Sequence, residues 1–226
     1  MVLFPGLTQL DLTGPYEVFA RLPGAQVCLL AATLTAVRSE RGLTISPDAT
    51  FDNAPDLDLI CVPGGPGVDA MMEDEGLLHF LRERTARAQY VTSVCTGALV
   101  LGAAGLLRGR RATTHWLSQD LLPLFGATPV NERVVIDGNR ITGAGVTAGI
   151  DFGLAVAAEV LGTAAAQQIQ LMLEYDPAPP FASGSPDRAP ASIVRAVAEA
   201  RKAAQSRRRE IARRAAMRLG AADDRL

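Results

Sequence analysis

Cys95 carries the strongest chemical signature in this sequence. It stands in Tyr90-Val91-Thr92-Ser93-Val94-Cys95-Thr96-Gly97-Ala98, where an apolar run rich in β-branched residues stops at a small polar residue and a helix-forming stretch begins at once. This order predicts a strand-to-helix elbow, which exposes its central side chain above the carboxyl edge of a sheet. The free amides and dipole of the following helix lower a thiol's pKa and stabilise developing anions, so a Cys95 thiolate near neutral pH is expected. An isolated free cysteine more often serves as a buried core residue. That role is assigned to Cys28 and Cys61, which lie inside apolar strand runs, whereas the elbow sets Cys95 apart as a nucleophile.

Two further segments supply partners for it. Leu57-Asp58-Leu59-Ile60-Cys61-Val62-Pro63-Gly64-Gly65 reads as a buried strand ending in glycines. Consecutive glycines let backbone N–H groups approach a ligand closely, and Gly64 or Gly65 with the amide of Thr96 would form an oxyanion-hole-like nest. Most Pro-Gly-Gly runs are turns and nothing more. In Gln9-Leu10-Asp11-Leu12-Thr13-Gly14-Pro15-Tyr16-Glu17-Val18-Phe19, Gly14-Pro15 opens a helix with Glu17 in its first turn, and Asp11 precedes it between two leucines. A carboxylate with apolar neighbours is costly unless paired or protonated, so Asp11 is expected to titrate high enough for proton transfer. The plainer role, satisfying nearby backbone amides, stands beside it.

Only two histidines are present. His79 falls on the exposed face of a helix. His115 follows Ala112-Thr113-Thr114 and precedes a helix starting at Trp116 or Leu117, so any Cys–His dyad would need His115. Because Thr96 follows Cys95, no histidine adjoins the nucleophile in sequence, and a structural or interface role is the preferred reading of His115.

The elements that must position these residues are legible from periodicity. Strands are expected at Gln26–Ala31, Leu57–Val62, Tyr90–Val94, Arg133–Ile136 and Arg140–Thr142, the last two joined by Asp137-Gly138-Asn139 as an antiparallel hairpin. Helices are expected at Pro15–Ala20, Glu75–Arg87, Thr96–Ala104, Asp151–Leu161 and Ala164–Leu173. Near-continuous apolar strands alternating with helices indicate an α/β fold with a mostly parallel sheet covered on both faces. Residues 1–175 form the expected core, 176–190 a Pro/Ala/Ser/Gly-rich loop, 191–219 an amphipathic helical segment packed on the core or a dimer partner, and 220–226 a tail.

With 226 residues and 48% hydrophobic content, one large core is expected rather than two domains. The net charge of −2 gives no global attraction to nucleic acid or anionic lipid. Three cysteines without paired or metal-ligand spacing argue against a disulfide framework or a structural zinc site. The absence of a signal-like start and of a long apolar stretch leads to an expected cytoplasmic location.

Taken together, the Val94-Cys95-Thr96-Gly97 elbow, Pro63-Gly64-Gly65, Asp11-Leu12-Thr13-Gly14-Pro15, Gly109-Arg110-Arg111-Ala112-Thr113-Thr114-His115-Trp116, Leu173-Glu174-Tyr175 and Pro177-Ala178-Pro179-Pro180-Phe181 resemble the ThiJ/PfpI superfamily, and within it the isocyanide hydratase group. The likeness runs from Phe4 to about Leu219. It implies a flavodoxin-like three-layer sandwich, a homodimer with sites near the interface, and hydration of an isocyanide to an N-substituted formamide without metal or organic cofactor. Cys95 matches the nucleophile and Asp11 the acid that hydrogen-bonds it. Thr96 matches the residue that replaces a histidine of protease-like and chaperone-like relatives. Against that pattern the first strand is short, with only Met1–Phe4 before Pro5, so the true start is open and with it the placement of Asp11.

Three other readings compete. A glyoxalase-like, deglycase-like or amidase enzyme would sit on the same scaffold, but such relatives typically use a glutamate and often a histidine beside the cysteine. Similar domains also open AraC-type regulators, which need roughly a hundred further residues for DNA binding. Here the tail holds Arg207, Arg208, Arg209, Arg213, Arg214 and Arg218 on one segment, which reads as a solvated or subunit-packing helix. A redox sensor at Cys95 is compatible with catalysis.

Overall fold

The computed structural model describes residues 1–223, with side chains described as far as Gly220. The chain opens in extended form. Val2 donates its N–H to the Cys61 carbonyl at 3.0 Å and Leu3 to the Leu30 carbonyl at 2.7 Å, so Met1–Phe4 is inserted between two strands and is buried. Short as it is, this segment is bonded on both sides.

Helix α1 spans Gln9–Phe19. It starts six residues before Pro15, which therefore lies inside the helix and not at its first position. The missing proline N–H leaves the Asp11 carbonyl without its usual partner four residues on. Asp11 is thus in the first turn of α1, not ahead of it. Next come β1 (Leu30–Ala31), β2 (Val37–Arg38), β3 (Thr44–Ile45) and β4 (Ala49–Thr50), with β1 parallel to β4 and β2 antiparallel to β3. Of the expected strand Gln26–Ala31 only Leu30–Ala31 forms. Upstream, the Leu29 N–H bonds the Asp48 carboxylate at 2.7 Å and the Cys28 carbonyl accepts the chain's terminal ammonium at 2.6 Å. The backbone groups there find partners without a ladder.

The central sheet is built from β5 (Leu59–Val62), β6 (Tyr90–Val94), β9 (Val134–Asp137) and β10 (Arg140–Gly143) in the order β5-β6-β10-β9; between β6 and β9 the chain forms β7 (Arg111–Ala112) and β8 (Thr128–Pro129). β5, β6 and β10 run parallel and β9 antiparallel. β9 and β10 turn at Gly138, whose φ of 60° suits a residue without Cβ. The helices are α2 (Val68–Met71), α3 (Glu75–Thr85), α4 (Gly97–Ala103), a 3₁₀-helix at Trp116–Phe125, α5 (Ala148–Leu161), α6 (Thr163–Met172) and α7 (Ala191–Asp223). α1, α5 and α6 pack as one layer, and α2, α3, α4 and α7 as another. The result is a flavodoxin-like α/β sandwich with a mostly parallel sheet. Every residue of α4 is buried, as a helix flanked by sheet, α3 and α7 requires. Each fully buried leucine there contributes about 2 kcal/mol of transfer free energy.

α7 docks through Ala212 and Ala215, both buried, and through its arginines. Arg214 and Arg218 pair with Glu73, Arg209 with Asp120, and Arg208 with Asp69. Much of the basic character of the tail is therefore spent on acids of the same chain.

Candidate active site

β6 delivers Cys95 and α4 leaves it. At the join Cys95 adopts φ 55°, a left-handed conformation that a residue with a Cβ holds only when its surroundings enforce it. They do so from both sides. The Cys95 N–H points at the carbonyls of Gly143 (3.0 Å) and Ala144 (2.8 Å) beyond β10, and its own carbonyl accepts from the Thr114 hydroxyl at 2.7 Å. Gly97 lets α4 approach β5 closely, since a Cβ there would sit 2.1 Å from the Val62 carbonyl oxygen. The sulfur receives the Thr96 backbone N–H and meets the Asp11 side chain.

Asp11 is fully buried. Its Oδ2 accepts the Gly64 N–H at 3.0 Å, while Oδ1 has no hydrogen-bond partner among the described residues. Burial pushes the Asp11 carboxyl up to about 7, against hydrogen bonds from Cys95 and Gly64 that hold it down. This is the range the apolar neighbours in the sequence predict. The Cys95 thiol is also pushed up, first by burial and then by the Asp11 carboxylate, with the Thr96 N–H opposing. Here the expectation of a thiolate near neutral pH is corrected. The helix terminus does act on the sulfur, but desolvation and a neighbouring anion outweigh it while Asp11 is ionised. Protonating Asp11 removes the second of those two causes.

The glycine turn also departs from expectation. The Gly64 N–H is taken by Asp11, and the Gly65 N–H donates to Thr96 Oγ1 at 3.0 Å, while that hydroxyl donates to the Gly65 carbonyl at 3.3 Å. Neither amide is a free oxyanion donor. Gly64 and Gly65 instead hold Asp11 and Thr96 in place. The close approach demands glycine, because a Cβ on Gly64 would lie 2.6 Å from the Thr96 nitrogen.

His115 caps the 3₁₀-helix, its Nδ1 accepting the Leu117 N–H at 3.3 Å. Burial first, then Arg208 and Arg201, push it down to about 4. It is a neutral ring whose Nδ1 is engaged with backbone, and it has no hydrogen bond to Cys95. His79 is exposed beside Glu83. Cys61 is buried and pushed up to about 11 by desolvation, as an inert core thiol would be. Two participants escaped the sequence. Thr114 lies within a recognisable motif but carries no sign that it bonds the elbow. Arg208 is one arginine among many until the fold buries it beside Gly65.

Concavity by itself would point elsewhere. A groove of about 720 Å³ between α7 and the 3₁₀-helix is lined by residues such as Trp116, Arg195, Lys202 and Arg209, and includes neither Cys95 nor Asp11. Chemistry and shape disagree here, and the strained, hydrogen-bonded elbow is the better guide. Among the described residues no group of three His, Cys, Asp or Glu side chains is placed to hold a metal ion.

Known proteins share this arrangement of elements. The chain is 58% identical over 221 residues to the isonitrile hydratase of Pseudomonas putida, covering 96% of each chain. A crystal structure of a ThiJ/PfpI family protein from Pseudomonas syringae matches with a TM-score of 0.92 at 47% identity, covering 94% of this chain and 88% of that one. A shorter likeness, 34% identity over 137 residues, links 60% of this chain to 37% of the HTH-type transcriptional regulator GbdR of Pseudomonas aeruginosa. The DJ-1/PfpI family model matches residues 1–159, more than half of the sequence. The chain belongs to the DJ-1/PfpI family.

Proposed function

We propose that the protein is a hydro-lyase that adds water to an isocyanide through a covalent thioimidate on Cys95, giving an N-substituted formamide. The observation that carries this reading is the meeting of the Cys95 thiol with a fully buried Asp11 whose Oδ1 has no hydrogen-bond partner among the described residues. The 58% identity to an isonitrile hydratase names the substrate class.

The terminal carbon of an isocyanide accepts a nucleophile and must then accept a proton. In the first step Asp11 takes the thiol proton as sulfur bonds to that carbon, and returns it to the same carbon, so S–H is added and R–N=CH–S–Cys95 results. In the second, a water oxygen bonds to the thioimidate carbon, one water proton reaches nitrogen by way of Asp11, the C–S bond breaks, and the second water proton goes to the departing sulfur. R–NH–CHO leaves and the thiol is restored. One carboxyl group can both give and take the proton because its pKa lies near 7. Thr96 contributes its amide to the sulfur and its hydroxyl to the glycine turn.

The protein acts without cofactor, as a cytosolic homodimer. No helix among the described residues is long and apolar enough to cross a membrane. Incubating purified protein and Cys95→Ala with para-nitrophenyl isocyanide and following formamide is the direct test. Turnover in the wild type and none in the folded variant is expected. An inactive wild type turning over methylglyoxal instead would replace the hydratase reading with a glyoxalase one.

A further inference from the structure

We infer that Arg208, on α7, is a positioning residue for the active site, so that a helix outside the family-matched segment completes the catalytic centre. Arg208 is a buried guanidinium with 7% of its side chain exposed. Its Nε donates to Asp69 Oδ1 at 2.6 Å and its terminal nitrogen to the Gly65 carbonyl at 3.4 Å. Asp69 lies in the first turn of α2, immediately after the glycine turn. A buried cation is costly unless its donors are satisfied. Here one planar fork reaches a carboxylate and a backbone carbonyl together, which a lysine ammonium does less well.

The Gly65 carbonyl is no ordinary acceptor. It also receives the Thr96 hydroxyl, and the Gly65 N–H donates back to that hydroxyl. One residue earlier, the Gly64 N–H holds Asp11 and the Gly64 carbonyl accepts from Thr8 at 2.9 Å. Gly65 has φ 127°, and a Cβ on it would lie 2.4 Å from the Thr8 nitrogen. The turn is therefore wedged between the start of α1 and the Arg208 guanidinium. Arg208 touches neither Cys95 nor Asp11; it holds the Gly65 carbonyl, two peptide units along the same turn from the Pro63–Gly64 peptide whose N–H meets Asp11. His115 is pushed down by burial first and then by Arg208 and Arg201, and besides Cys95 the charge of Glu40 acts on Asp11, raising it.

Removing Arg208 takes one donor from the Gly65 carbonyl and leaves it the Thr96 hydroxyl, which loosens the turn, weakens the Gly64 N–H on Asp11 and so raises the Asp11 titration. Only the kinetic arm of the test rests on the hydratase reading. The rate of Cys95 alkylation by iodoacetamide, followed by mass spectrometry across pH, needs no substrate. Arg208→Met is expected to move the inflection of that profile upward by about half a unit or more. It is also expected to lower kcat for isocyanide hydration about tenfold with KM within about twofold. Because Arg208→Met leaves Asp69 without its close partner, the double variant Arg208→Met/Asp69→Asn, which removes both charges, gives the same reading in a chain without an orphaned carboxylate. A folded double variant with the wild-type inflection and kcat overturns the proposal. So does failure of both variants to fold, which would assign Arg208 to the fold alone. A shifted inflection in a protein whose wild type hydrates no isocyanide keeps Arg208 in its role and removes the substrate assignment.

Discussion

At the residue scale the proposed mechanism turns on one proton shared between two buried acids, Cys95 and Asp11. With both groups protonated the thiol is a weak nucleophile; with one proton lost, Asp11 can take the other from sulfur as the bond forms. The rate kcat/KM is therefore expected to rise with pH through about 7 and then level off, following Asp11. Asp11→Asn should lower it by about a hundredfold or more and abolish that inflection. A variant keeping both the rate and the inflection would remove Asp11 from proton transfer. Stability gives an independent check with its own sign. The Asp11 pKa is raised from 3.8 to about 7 on folding, so the folded state holds the proton more tightly. Its stabilising share is complete below about pH 4 and is lost as pH rises through 7. Asparagine carries no such loss. The melting temperatures of Asp11→Asn and wild type should agree near pH 4 and separate toward pH 8, with the variant the higher.

At the element scale the elbow works because β6 and α4 are forced together. The left-handed Cys95 costs on the order of 1–3 kcal/mol, which the surrounding bonds from Gly143, Ala144 and Thr114 offset. Gly97 is the residue on which this approach depends. Gly97→Ala would bring a methyl carbon to 2.1 Å from the Val62 carbonyl, so α4 must move away from β5. A loss of about 2 kcal/mol in stability is expected, together with a marked fall in turnover, measured by thermal melts and formamide production. Wild-type melting and turnover would show that the elbow tolerates a wider separation than the geometry implies.

At the scale of the whole molecule, the question is what α7 and the two helical layers do beyond closing the core. The likeness to a transcriptional regulator covers only 37% of that protein, and five of the eight arginines of α7, Arg207, Arg208, Arg209, Arg214 and Arg218, pair with Asp69, Glu73 and Asp120. The acids of the same chain thus offset much of the positive charge this helix would present to phosphate. No binding to duplex DNA at low salt is therefore expected by mobility shift, and salt-sensitive binding would reopen the regulator reading. The homodimer reading predicts twice the chain mass in light scattering at micromolar concentration. A monomeric, fully active protein would show that one chain holds a complete site.

The sequence alone determined the strand-to-helix elbow at Cys95, the strands β5, β6, β9 and β10 and the hairpin turn, because each is a local matter of period, glycine and an apolar run meeting a helix start. It also brought Asp11 and Thr96 forward as partners of Cys95, in part through family likeness. The tertiary structure decided what depends on residues far apart in the chain. It gave the Gly64 and Gly65 amides to Asp11 and Thr96 and not to an oxyanion, drew Gln9–Leu10–Asp11 into α1, and buried Arg208 against a turn 143 residues away. It also raised the Cys95 thiol where the helix terminus alone would lower it. Desolvation and hydrogen-bond competition belong to the packed site, and no local pattern of residues encodes them.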